Sequence, residues 1–89
     1  MGTAILQIKV MPESIDTDLS KIQAEAEIRL KKEKGVPRFE IQPVAFGLKQ
    51  LMITTTWPEE KDTDLAENLM RSIPGVSQAD ILDYRRAIG

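Results

Sequence analysis

Apolar and polar residues alternate at the start of the chain: Ala4, Leu6, Ile8 and Val10 are apolar, while Gln7 and Lys9 interrupt the positions between them. A period of two marks a strand with one buried face, and Met11-Pro12 ends it. The period then lengthens. Leu19, Ile22, Ala26 and Leu30 recur at spacings of three and four, which puts them on one face of a helix. Ser14, Asp16 and Thr17 offer side-chain oxygens to cap its start. Lys31, Lys32 and Lys34 suit the negative end of its dipole and read as a solvated helix end, and Gly35 can stop it.

A second extended run holds Phe39, Ile41, Val44, Phe46 and Leu48, with its apolar parity changing from odd to even across Pro43. A bulge at Gln42-Pro43 would give that phase change, while a hairpin would account for Gly47 as the turn into the next run. Leu51, Ile53, Thr55 and Trp57 carry a third run of strong β-formers that Pro58 stops. Asp62, Thr63 and Asp64 begin a second helix, with Leu65, Ala66, Leu69 and Ile73 on its stripe and Met70 at the margin; Pro74-Gly75 ends it. Val76 to Ile88 reads as a fourth strand with Ala79 and Ile81 inward and an irregularity near Leu82-Asp83. Trp57 is expected to pack at the end of the sheet.

Strand, helix, strand, strand, helix, strand is the order of a ferredoxin-like βαββαβ sandwich. It is an α+β fold with a four-stranded antiparallel sheet and two helices on one face. The 89 residues fit a single domain spanning 1–89.

Composition removes much of the chemistry this fold can host. With no cysteine and no histidine, a thiol nucleophile, a Cys/His zinc site, a disulfide framework and a Ser-His-Asp triad are all excluded. Lys plus Arg number 12 against 14 Asp plus Glu, so the net charge of -2 gives no general attraction for phosphate backbones. An RNA-recognition sheet would need paired aromatics on its central strands, where this chain has Ile5, Gln7, Met52 and Thr54. No close acidic pair or nucleophile-base pairing stands out, so neither catalytic nor metal-ligating residues nor a cofactor are expected. The opening apolar segment TAILQIKV is too short to span a membrane and lacks the basic start and cleavage region of a signal peptide, and Leu6 breaks a myristoylation motif. A cytoplasmic protein is the expectation.

Several motifs follow one another in a distinctive order: KVMPES at Lys9 to Ser14, D-x-DL at Asp16 to Leu19, QPVAFGLKQL, GVS at Gly75 to Ser77, and a terminal YRRAIG. In this combination, over nearly the whole chain, the sequence resembles the archaeal translation elongation factor 1-beta family, which includes the C-terminal exchange domain of the eukaryotic beta subunits. PVAFGLK is the most specific piece. The resemblance implies a ferredoxin-like guanine nucleotide exchange domain acting on elongation factor 1-alpha, the GTPase that delivers aminoacyl-tRNA, with no covalent chemistry of its own.

It also implies that the aromatic-glycine loop touches the GTPase and that a basic residue near the chain end reaches toward the nucleotide's magnesium site. Matched through Asp80-Ile81, these positions fall on Phe46 and Arg86. Arg86 stands where the eukaryotic pattern has lysine, and a planar guanidinium differs from a compact ammonium, so Arg85 is a second candidate for the role. Pro43, Gly47 and Lys49 complete the partner-binding set. From the residues alone Phe46 either fills the core or projects to a partner. The free protein is expected to be a monomer without direct contact to nucleic acid or membrane. A docking or ligand-sensing module that dimerises through an open sheet face carrying Met52 and Leu82 is the alternative.

Overall fold

The structure, a computed structural model, describes residues 2–86. Its elements run β1 (Thr3–Pro12), α1 (Leu19–Lys32), β2 (Arg38–Pro43), β3 (Lys49–Pro58), α2 (Thr63–Arg71) and β4 (Val76–Arg86). The sheet order is β2-β3-β1-β4 with every neighbouring pair antiparallel, which is the ferredoxin-like arrangement.

The alternation of β1 becomes the core. Ala4, Leu6, Ile8 and Val10 are fully buried and lie opposite Trp57, Thr55, Ile53 and Leu51 of β3. Leu19, Ile22, Ala26 and Leu30 of α1 close over this layer, each apolar burial worth about 1.5–3 kcal/mol for the larger side chains. Trp57 packs at the sheet's end as expected, donating Nε1–H to the Lys61 carbonyl at 3.3 Å. The other face, with Ile5, Gln7 and Lys9 on β1 and Met52 and Thr54 on β3, carries no helix. Met52 is nonetheless only 8% exposed, because Lys9 and Glu40 flank it across the strands.

Several local expectations change. The β2–β3 register runs without interruption from Arg38↔Thr54 to Pro43↔Lys49, so there is no bulge at Gln42-Pro43. The parity change arises because the strand has ended: Val44 to Leu48 form the turn, and Pro43 is the last paired residue. The cap of α1 is Asp18, whose Oδ1 accepts from Ser20 N at 2.9 Å, rather than Ser14, Asp16 or Thr17. Ser14 and Thr17 instead order the loop before it, with Ser14 N donating to Thr17 Oγ1 at 3.2 Å. At the helix end Lys34, not Gly35, takes the left-handed conformation at φ 68°. On α2, Met70 is fully buried and Leu65 is 38% exposed, the reverse of the expected centre and margin. The irregularity near Leu82-Asp83 is present as a register shift: Gln7 pairs Asp83 whereas Ile8 pairs Ile81, leaving Leu82 as the extra residue. Ala87 and Ile88, within the expected reach of this strand, lie outside the described residues.

Candidate functional site

Three of the distinctive motifs converge on one end of the sheet. KVMPES leaves β1 there, GLKQL enters β3 there, and GVS enters β4 there. Glu13 N donates to the Gly75 carbonyl at 2.9 Å and Ser77 Oγ to the Pro12 carbonyl at 3.1 Å, tying the first and last of these connections together.

The hairpin tip is the most exposed part of this end. Val44 N donates to Leu48 O at 2.8 Å and Leu48 N to Ala45 O at 2.9 Å, closing a tight turn around Phe46 and Gly47. Both central residues are left-handed, φ 54° and 79°, the combination whose twist matches a β-hairpin. Glycine adopts it freely, while a residue with a Cβ sacrifices about 1–2 kcal/mol. Phe46 is also 100% exposed. It therefore lies outside the core, and that alternative is removed. Ile15, Ile41 and Val44 are also exposed nearby, forming apolar surface around the tip. Between the hairpin and the loop after β1 lies a shallow groove of ≈ 330 Å³, lined by Pro12, Ser14, Ile15, Asp18, Ile41 and Lys49 among others. Pro43 and Lys49 face each other as the hairpin's last pair, both exposed.

Arg85 and Arg86 lie at the opposite end. Arg86 pairs with Ala4 and Arg85 with Ile5, so the alternation of β4 sends their side chains to opposite faces of the sheet. Arg86 Nε meets Glu59 Oε1 at 2.8 Å, and Arg85 Nε meets Asp83 Oδ2 at 2.8 Å. Both arginine side chains remain about four-fifths exposed, at 79% and 78%. Along β3, Trp57 and Lys49 mark the two ends, separated by about 25 Å of strand rise. The sequence-expected residues thus form two groups: Pro43, Phe46, Gly47 and Lys49 together, and Arg85 and Arg86 apart from them.

Sequence reading missed Ile15 and Glu59. An isoleucine between Ser14 and Asp16, in a loop rich in capping residues, is a legible anomaly. Glu59 gives no such signal, since a glutamate after Pro58 reads as an ordinary loop residue.

Residues 5–87 match the EF-1 guanine nucleotide exchange domain. The chain is similar to elongation factor 1-beta of Metallosphaera sedula, 38% identical over 88 residues that cover 97% of each chain. It is 36% identical to elongation factor 1-beta of Methanothermobacter thermautotrophicus over 87 residues, covering 97% of this chain and 98% of that one. Elongation factor 1-beta of Methanocorpusculum labreanum is 33% identical over 89 residues, 99% of this chain and all of that one. The likeness runs over nearly the whole length of each chain. The chain belongs to the EF-1 guanine nucleotide exchange domain family, whose role in translation elongation is guanine nucleotide exchange.

Proposed function

We propose that this chain, as one exchange domain over residues 1–89, binds elongation factor 1-alpha and accelerates release of its GDP so that GTP can be reloaded. Phe46 carries the reading. A large apolar side chain that is wholly exposed and held in a left-handed backbone gains neither burial nor relaxed geometry in the free protein, which supports a role realised on contact with a partner. Gly47 lets the backbone turn, Pro43 ends the pairing at a fixed point, and Lys49 supplies a cation on the rim. At the far end Arg86, with Arg85 as the second candidate, is presented toward the nucleotide's magnesium site.

Exchange requires no covalent step. The factor must bind the nucleotide-free GTPase more tightly than the loaded one, and linkage then lowers nucleotide affinity by the same free energy, commonly about 1–3 kcal/mol between coupled sites. A cation brought close to Mg²⁺ repels it, and two contacts about 25 Å apart set the orientation in which that cation arrives. We further propose a cytoplasmic monomer with no cofactor and no direct contact to nucleic acid; no described helix is long and apolar enough to cross a membrane. The test is stopped-flow release of fluorescent GDP from elongation factor 1-alpha, with excess unlabelled GDP as trap. Acceleration that saturates with the concentration of this chain is the expected result, and no acceleration by a folded sample would overturn the reading.

A further inference from the structure

The Arg86–Glu59 contact reaches across β1. In the sheet, β1 separates β3 from β4, and Glu59 follows directly on β3 while Arg86 ends the described part of β4. Their side chains meet over the start of β1, where Glu59 N also donates to the Gly2 carbonyl at 3.1 Å. Gly2 makes the crossing possible. A Cβ on Gly2 would stand 2.0 Å from Glu59 Oε2 and 2.7 Å from its Cδ, so any larger residue displaces the carboxylate. The Glu59 side chain is 24% exposed, against 79% for Arg86, so the carboxylate is the settled half of the pair and the guanidinium the projecting half.

We propose that Glu59, seated over Gly2, is a latch that neutralises Arg86 in the free protein and must release it for exchange. This rests on the reading of Arg86 as the cation offered to the partner's nucleotide site. An arginine carrying a carboxylate at 2.8 Å presents almost no net charge, and the carboxylate itself attracts a divalent cation instead of repelling it. The pair therefore has to separate before Arg86 can act. Glu59 is a positioning residue: it acts through Arg86 and tunes how often the free cation is available. An exposed ion pair is weak, so the latch opens readily and its removal has a bounded effect, a roughly two- to six-fold gain in exchange efficiency.

The experiment measures the initial slope of GDP release rate against factor concentration for the full chain and four variants. Glu59→Gln removes the charge, Glu59→Asp keeps it but shortens its reach, and Gly2→Ala displaces the carboxylate from its seat. Glu60→Gln changes the net charge equally at the neighbouring exposed position, which forms no ion pair among the described residues. The expected result is a roughly two- to six-fold faster rate for the first three, with Glu60→Gln at the wild-type level. The gain should shrink between about 0.05 M and about 0.5 M salt, where screening opens the latch in the wild type as well. Glu59→Gln at or below the wild-type rate overturns the latch, as does an equal gain from Glu60→Gln, which would make the effect one of overall charge. If the wild-type chain gives no acceleration, the exchange reading itself fails, a result separable from failure of the latch alone.

Discussion

At the scale of single residues the decisive one is Phe46. Its place in the sequence, in step with Val44 and Leu48, fits a strand, and an aromatic in a small domain is ordinarily core. The left-handed φ and full exposure place it instead at the apex of a turn. Because nothing packs on it, Phe46→Ala opens no cavity: its unfolding free energy should change by no more than about 0.5 kcal/mol, while exchange efficiency falls about 10- to 100-fold as a docking anchor is lost. Urea melts beside GDP-release kinetics separate the two effects. Phe46→Asn is the sharper variant, since asparagine tolerates a left-handed backbone. It should match or exceed wild-type stability and still lose exchange; retained exchange would show that the turn, not the ring, is what the partner reads.

Elements show a different balance between local pattern and neighbours. The periodicities of β1, α1 and β3 carry through into the fold because each buried face is continuous and one slipped residue would turn it to water. The hairpin was harder: a parity change fits a bulge or a turn equally well, and only the pairing of Pro43 with Lys49 decides it. On α2 the covered stripe is displaced from the expected one, with Met70 inside and Leu65 outside, because packing against β4 covers only part of a broad apolar face. That docking also guards an exposed edge. Glu67 on α2 accepts from Ile81 N at 3.2 Å beside the β4 bulge, and Arg71 holds the same carboxylate and Asp80 at 3.7 and 3.9 Å. Glu67→Ala leaves that amide without its partner and should lower stability by about 1 kcal/mol. Hydrogen exchange at the Ile81 amide should quicken more than at core amides of β1; uniform acceleration across the sheet would argue that Glu67 acts only through global stability.

For the whole molecule, the hairpin tip and the arginine end stand at opposite ends of the sheet, about 25 Å apart along β3. Groups that far apart, touching different parts of the partner and not each other, contribute nearly independently. Arg86→Ala should therefore slow exchange with circular dichroism unchanged, and combining it with Phe46→Ala should multiply the two losses, the coupling staying under about 0.5 kcal/mol. Non-multiplicative losses, from the slopes of the four combinations, would point to one shared contact instead of two. The open sheet face bears on assembly: Met52 is nearly covered between Lys9 and Glu40, and Asp80 lies opposite Lys9 on the next strand, so sedimentation should find monomer over a wide concentration range. By itself the sequence determined the order of the elements, the inward faces of β1, α1 and β3, the absence of thiol and imidazole chemistry and the family, because periodicity, composition and motif order are properties of the chain as written. Only the tertiary structure decided that Phe46 is displayed and not buried, that Arg85 and Arg86 point to opposite faces, and that Glu59 holds Arg86 over Gly2. Each of those depends on strand register, which brings together residues that no local spacing connects.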